Sequence, residues 1–417
     1  MRRWGIVAVA LLLSACGARI VPPPATPSYR PPSGAARPPV PAKPLPPVAG
    51  TTAPGAANAV SAGVVAGPPV YSLPIDDVAA ARSLAAFRLS CPALLRRTDT
   101  SDLTRPADWQ PACDAARVAD PASARAFFTQ WFESVQVGDG RAFATGYYVP
   151  EIAGSRDRRK GFDTPIYGRP DDLVDVDLGQ FSADLKGKKI RGRVEGNSFI
   201  PYFDRAAIEQ GVLGRHAPIV AWAADPIEMF FLEVQGSGIL RLPDGDTMRI
   251  GYASQNGRDY TGIGALMRQR GLLAPGQASM QGITQWLRDH PAEGRDIMRE
   301  NKSYVFFREL NGPPLGALNL PVNARATVAA DIRFVPLGAP IFLSMDRVDA
   351  SGLWVAQDTG GAIKGANRVD TFWGAGDEAR AIAGGMAAHG TAFLLLPMGT
   401  LARLTAEGRG GGATSQP

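Results

Sequence analysis

The sequence predicts a mainly β protein with two domains. From about residue 150 to residue 300, short segments of strand character alternate with Gly, Pro, Asn and Asp, a pattern typical of a small β-barrel. Residues 303–397 return to strand patterns, interrupted by one predicted helix over residues 377–389 that stops before Gly390. Behind an N-terminal region of different composition, about 340 residues remain, which suffices for two domains.

The first sixteen residues read as an export signal. Arg2 and Arg3 precede an apolar run over residues 6–13, which is too short to span a bilayer. The run leads to Cys16 in a Leu-Ser-Ala-Cys sequence that resembles a bacterial lipobox, in which the cysteine is lipidated. Because Gly17 stands where aspartate would retain a lipoprotein at the inner membrane, we expect an outer-membrane lipoprotein facing the periplasm of a Gram-negative bacterium. An ordinary signal peptide is the alternative.

A tether is predicted over residues 17–74. Fifteen of the 36 prolines lie within residues 18–70, among Ala, Gly and Val and with almost no charge. Such a segment buries little and favours polyproline II or disorder. A first helix is expected from residue 76 to about residue 90, and a second from residue 120, where Asp-Pro is a good helix start, through residue 136.

Cys91 and Cys113 remain once Cys16 is lipidated, and export permits a disulfide. A bridge between them would close a loop of about twenty residues and contribute about 3 kcal/mol. Two unpaired structural cysteines are the alternative. With three scattered histidines we expect no metal site and no cofactor.

The charge of +5 and the pI near 9.2 are mildly basic. Part of this positive charge comes from a Lys/Arg cluster over residues 186–193, which is either a solvated face or a surface attracting an acidic polymer. Nucleic acid is a poor candidate partner, because the protein is exported and carries no nucleic-acid motif.

Three aspartates near the C-terminus carry the chemistry. Asp358 follows one predicted strand and Asp370 lies within the next, twelve residues further on, and Asp331 precedes both. The apolar neighbours of Asp370 favour a raised carboxyl pKa through desolvation, as a proton donor near neutral pH requires. The alternative is that these aspartates only serve turns.

This segment, centred on Asp-Thr-Gly-Gly-Ala-Ile-Lys-Gly, resembles the 3D domain of the MltA family of lytic murein transglycosylases. Further resemblances follow in the family's order and cover about residues 75–400: the motifs begin at Thr145 (TGYYVP), Tyr167 (YGRP), Val234 (VQGSG), Tyr252 (YASQNG) and Asn301 (NKSYVFFR).

The resemblance implies a double-psi β-barrel built from residues 75–149 and 301–400. A second small β-barrel, residues 150–300, is inserted and leaves a groove between the two. Residues 401–417 are expected to be a disordered tail.

The resemblance also implies cleavage of the β-1,4 bond between N-acetylmuramic acid and N-acetylglucosamine without water, leaving a 1,6-anhydromuramyl end. Asp370 matches the catalytic aspartate, first acid and then base. Asp358 is assigned to controlling the pKa of Asp370, and Asp331 is either structural or at the groove edge. The partners implied are peptidoglycan strands, the outer membrane and cell-wall synthesis proteins.

Substrate-binding residues are expected on both barrels: Tyr147, Gln235, Ser237, Asn256, Asp331 and Lys364. Gln235 and Ser237 are predicted to lie on a glycine-flanked loop. Glu233 stands where the family commonly has glutamine. It therefore leaves open a hydrolytic glycosidase with Asp370 as acid and Asp331, Asp358 or Glu233 as base. A glycan-binding lipoprotein without catalysis is the third hypothesis.

Overall fold

The computed structural model describes residues 39–48, 55–274, 277 and 279–408. The predicted signal peptide with Cys16, much of the tether and the last nine residues lie outside this range. Within it, no helix has the length and apolarity that a membrane crossing requires.

The described chain is mainly β, as predicted. Its strands are β1 Val64–Ala66, β2 Phe132–Val137, β3 Arg141–Val149, β4 Glu151–Ser155, β5 Thr164–Tyr167, β6 Val174–Asp177, β7 Lys189–Glu195, β8 Ser198–Pro201, β9 Ile219–Ala223, β10 Ser237–Arg241, β11 Thr247–Gln255, β12 Val305–Leu310, β13 Thr327–Ala330, β14 Pro340–Met345, β15 Gly352–Asp358, β16 Arg368–Ala375 and β17 Ala387–Pro397. Its helices are α1 Ala59–Ala62, α2 Asp77–Leu94, α3 Pro106–Val118, α4 Ala124–Trp131, α5 Arg205–Glu209, α6 Pro226–Gln235, α7 Ile263–Gln269, α8 Met280–Asp289, α9 Pro291–Arg299, α10 Gly376–Ala383 and α11 Thr400–Ala406.

The first sheet has the strand order β1-β2-β17-β14-β15-β13-β16-β3, and β3 also pairs with β17. This additional pairing gives the strands from β17 to β3 a ring-like arrangement. β14 and β15 are almost entirely buried because both faces are covered. α2 packs on β15, starts at the capping residue Asp76 and is joined to α3 by a disulfide between Cys91 and Cys113.

The second sheet, β12-β11-β10-β4-β9-β5, has its own apolar core, and β6-β7-β8 form a small third sheet. The chain enters the second sheet directly from β3 through Pro150 and leaves it after β12 at Leu310. The second sheet therefore extends past the boundary expected at residue 300. The two sheets adjoin at this passage, where Ile239 N–H in β10 donates to Pro150 O at 2.8 Å.

The predicted tether is wrong for its described part. Residues 39–48 run along the first sheet, where Leu45 N–H donates to Ser344 Oγ at 2.8 Å. After the gap, α1 and β1 belong to the fold, and Val64 and Leu73 are buried. The segment has the Val, Leu and Ala side chains needed for burial, and extended proline-rich backbone fits a sheet edge.

Three other local predictions differ from the structure. The helix expected through residue 136 ends at Trp131 and continues as β2, and the helix expected through residue 389 ends at Ala383, before β17. The expected tail begins with α11, because Leu404 is fully buried. In each case tertiary burial overrides the local pattern.

Candidate active site

Asp358 and Asp370 are brought to the two sides of one strand. Ala329 in β13 is the register partner of Asp370 in β16 and also of Asp358 at the end of β15. Their backbones are therefore about two strand spacings, about 10 Å, apart. The twelve residues between them form the connection from β15 to β16, so the predicted turn-rich segment is the route by which the chain crosses over β13.

Asp370 is held by a chain of hydrogen bonds from β3. Thr145 is its register partner, and the Thr145 hydroxyl donates to Asp370 Oδ1 at 2.6 Å. Arg368 Nη2 in turn donates to Thr145 Oγ1 at 2.9 Å. Since Arg368 supplies the proton of that contact, the threonine's own proton is directed to Asp370. Oδ2 of Asp370 accepts no hydrogen bond from any described residue.

Burial and, to a smaller extent, the charge of Asp358 raise the pKa of Asp370, which comes to about 6. The Thr145 hydrogen bond and the Arg368 charge oppose this by favouring the carboxylate. The result is a carboxyl group that is protonated in a substantial fraction of molecules near pH 6. It is therefore able both to give and to take a proton under mild conditions.

Asp358 has both carboxyl oxygens occupied. Its Oδ1 accepts the backbone N–H groups of Thr359 at 2.8 Å and Ala317 at 3.0 Å, and its Oδ2 accepts the Tyr147 hydroxyl at 3.0 Å. Burial raises the pKa of Asp358, while these three donors pull it back down. The Tyr147 ring packs against Phe372, with 4.9 Å between centroids. Tyr147 thus belongs to the site, with its hydroxyl committed to Asp358.

Asp331 and Glu233 are both engaged elsewhere. Asp331 pairs with Arg333, Nη2 to Oδ2 at 2.6 Å, and also accepts the N–H of Gly365 at 2.8 Å. It thereby anchors the β15–β16 connection, as in the structural alternative. Glu233 is buried in α6 and paired with the equally buried Arg205 at 2.7 Å.

The remaining predicted binding residues lie in three different environments. Gln235 and Ser237 lie at the end of α6 and the start of β10, not on a loop, and Gly236 between them has φ 78°. Gln235 Oε1 accepts the Tyr148 N–H at 3.0 Å and so joins α6 to β3. Lys364 is exposed on the β15–β16 connection. Asn256 is fully buried, and its amide bonds to Phe203 O, Lys302 O and Tyr304 N–H, so its assignment to substrate binding is wrong.

Three residues of the site received no role from sequence reasoning. Thr145 stands in the TGYYVP motif and Arg368 two residues before Asp370, yet nothing in their spacing reveals a contact across 223 residues. The third, Tyr260, precedes α7. Tyr260 is partly exposed; burial of its hydroxyl raises its pKa, and the charge of Asp370 raises that pKa further.

One group among the described residues has the geometry to hold a metal ion. The ligand atoms of Asp171, Asp172 and His216 lie within 4.8 Å of one another at the surface. Exposed acidic clusters of this kind are common without an ion, and none of the three residues contacts the aspartates of the site.

Comparison with known proteins agrees with this architecture. Residues 143–308 match the family model described as the MltA specific insert domain, and residues 326–396 match the 3D domain. The membrane-bound lytic murein transglycosylase A of Vibrio cholerae is 31% identical over 281 residues, which are 64% of this chain and 68% of the relative.

Solved structures are similar over most of the chain. MltA from Neisseria gonorrhoeae, in its monoclinic form, is 38% identical with a TM-score of 0.68, covering 87% of this chain and 98% of the other. Escherichia coli MltA with bound chitohexaose is 25% identical with a TM-score of 0.57, covering 86% and 96%. On these matches in sequence and in structure, the chain belongs to the membrane-bound lytic murein transglycosylase A (MltA) family.

Proposed function

We propose that this protein is a lytic murein transglycosylase. It cleaves the bond between N-acetylmuramic acid and N-acetylglucosamine and leaves a 1,6-anhydromuramyl end, in turnover and remodelling of the cell wall. The names of its relatives support the activity, and the chitohexaose bound by E. coli MltA supports a β-1,4-linked glycan as ligand. The observation that carries the mechanism is the state of Asp370, with a pKa near 6 and one oxygen unbound by the described protein.

A single carboxyl group performs both halves of the reaction. Protonated Asp370 gives its proton to the glycosidic oxygen as the bond breaks. The resulting carboxylate accepts the proton of the C6 hydroxyl of the same muramyl sugar, whose oxygen closes on C1. Bonds and protons balance without water, and Asp370 returns to its starting state. An ordinary glycosidase needs a second carboxylate to activate water or to form a covalent intermediate.

The other three carboxylates offer no such base. Asp358 uses both oxygens for three donors, while Asp331 and Glu233 are paired with arginines. A base for water requires a free oxygen facing the sugar. This distribution of partners favours the intramolecular route over hydrolysis.

Thr145 and Arg368 determine which oxygen carries the proton. Because Arg368 donates to Thr145 and Thr145 donates to Oδ1, the proton of the neutral acid resides on Oδ2. Oδ2 is also the oxygen without a protein partner among the described residues. Asp358 acts on Asp370 through its charge, and Tyr147 positions Asp358.

The finer architecture and location belong to the same proposal. The ring of strands is a double-psi β-barrel made from both ends of the chain, with the β4–β12 region as the inserted substrate domain. Cys16 carries the lipid that anchors the protein to the outer membrane on its periplasmic side, where it meets peptidoglycan and cell-wall synthesis proteins. The membrane-bound relatives support this location.

Product analysis in heavy-oxygen water tests the function. We expect digestion of purified sacculi to release muropeptides with anhydromuramyl ends that contain no ¹⁸O. Reducing ends carrying ¹⁸O would instead establish a hydrolase. If the folded protein cleaves no glycan at all, the remaining hypothesis is a glycan-binding lipoprotein without catalysis.

A further inference from the structure

A cavity of about 340 Å³ lies where the two sheets meet. Its walls are mainly aliphatic and aromatic: Val149, Ile239, Ile250, Leu310, Val322 and Phe372. Ser237, a predicted binding residue, and Arg249 are the lining residues whose side chains can hydrogen-bond, so a sugar ring buried here would leave most of its hydroxyl groups without partners, which is costly. The cavity therefore fits a ligand group with small apolar side chains better than it fits a glycan.

The cavity continues the face that carries Asp370. Phe372 follows Asp370 by two residues in β16, and Val149 follows Thr145 by four in β3, so all four side chains point to one side of the sheet. A step of two residues is about 7 Å along a strand. The cavity thus begins about one sugar ring away from the carboxyl group.

Arg249 supplies a positive charge to the cavity. It lies in β11, is exposed, and lines the cavity without an ion-pair partner among the described residues. Two other arginines around the same sheet are paired, Arg156 with Glu309 and Arg241 with Glu151. An unpaired guanidinium beside an apolar cavity is suited to a ligand that combines carboxylates with aliphatic groups.

We propose that this cavity binds the peptide stem of the muramyl sugar. The stem is attached through a lactyl ether to the same ring whose C1 reacts at Asp370, and it combines methyl groups with carboxylates. The methyl groups fill the cavity and a stem carboxylate pairs with Arg249. This proposal rests on the proposed function and adds to it a preference for glycans that still carry peptides.

The test compares two substrates with the full chain. One is intact sacculi, and the other is the same material after an amidase has removed the stems, with kcat/KM measured from anhydromuramyl ends. We expect the native protein to favour the stem-bearing glycan several-fold. Arg249→Gln should lower the ratio of the two kcat/KM values about fivefold, as expected for loss of a solvent-exposed charge pair.

A second variant fills the cavity without removing a core side chain. Ala324 is exposed and lines the cavity, so Ala324→Phe should lower the same ratio with little effect on folding. Arg308→Gln is the matched control, since Arg308 is an exposed arginine of the neighbouring strand β12 that does not line the cavity. It should leave the ratio unchanged.

The outcomes separate the two proposals. Absence of anhydromuramyl ends from both substrates overturns the proposed function itself. If those ends form, a native protein without a preference, or an unchanged ratio in either cavity variant, overturns the stem site alone.

Discussion

The Thr145 hydroxyl lies 2.6 Å from Oδ1 of Asp370, although 225 positions separate the two residues in the sequence. The contact exists because β3 and β16 pair in parallel with these residues in register. Arg368 completes it from the other side and so fixes the direction of the hydrogen bond. The protonation of Asp370 and the partners of the other carboxyl groups, Asp358 and Glu233, lead to five predictions.

The native enzyme should lose activity as pH rises through about 6. The free enzyme must carry a proton on Asp370, and its pKa is raised to about 6. We therefore expect kcat/KM to be level below this pH and to fall about tenfold per pH unit well above it. Initial rates on sacculi between pH 4.5 and 8 measure the profile. A profile that rises across this range would contradict the role of Asp370 as acid.

Asp370→Asn should lower the rate of cleavage by at least about 10³-fold, because the amide cannot act as an acid. The same change should stabilise the fold. The raised pKa means that stability present at low pH is lost as pH rises from about 4 to 6, and asparagine avoids this loss. Urea unfolding at pH 7.5 should show a gain of about 2–3 kcal/mol that disappears near pH 4.

The matched control for this variant is Asp377→Asn, an exposed carboxylate in the first turn of α10. It should leave activity unchanged and shift the free energy of unfolding by less than about 1 kcal/mol. Cleavage that survives in Asp370→Asn would remove Asp370 from its role.

Thr145→Val should raise the pKa of Asp370, because the hydroxyl's hydrogen bond favours the carboxylate and lowers that pKa. We expect the falling limb of the pH profile to move upward and kcat at pH 5 to decrease about tenfold through lost positioning. Thr145→Ser retains the donor and should restore both properties. A serine variant as impaired as the valine variant would indicate a packing effect only.

Tyr147→Phe should destabilise the carboxylate of Asp358, which loses the donor on Oδ2. We expect an unfolding free energy about 1–2 kcal/mol lower at neutral pH and a severalfold lower kcat. Tyr71→Phe, at a surface position, is the control and should be silent. Unchanged kcat in Tyr147→Phe would show that Asp358 needs no positioning by this hydroxyl.

Glu233→Gln should leave the products unchanged and their rate of formation within about twofold of the native rate, because Glu233 faces Arg205 and not the site. It should lower stability by about 2–3 kcal/mol, since Arg205 remains buried with a weaker partner. Glu309→Gln removes one carboxylate of an exposed pair and serves as the comparison. Loss of cleavage by a folded Glu233→Gln protein would reopen the two-carboxylate mechanism.

Strong local patterns were sufficient for several features. Apolar periodicity predicts helices near residues 263–270, 279–289 and 293–300, and α7 to α9 lie within a few residues of these ranges because this signal, with the cap Ser279 for α8, acts within one segment. The motifs around Asp358 and Asp370 were sufficient for the family. The apolar run from Met229 to Val234 predicts a strand leading to Gly236, and this prediction is wrong, because the run forms α6 with Asp225 as its cap.

The sequence by itself determined the family, the mainly β class and the identity of the acidic residues, because these reside in short contiguous motifs. Only the tertiary structure decided which carboxyl group keeps an unoccupied oxygen. The hydrogen-bond partners of each carboxyl group decide this: Thr145, backed by Arg368, bonds to Asp370, while Tyr147 bonds to Asp358 and Arg205 to Glu233. All of these contacts form only in the folded chain. Hydrogen bonding and desolvation act through distances in space, and strand pairing between distant segments sets those distances.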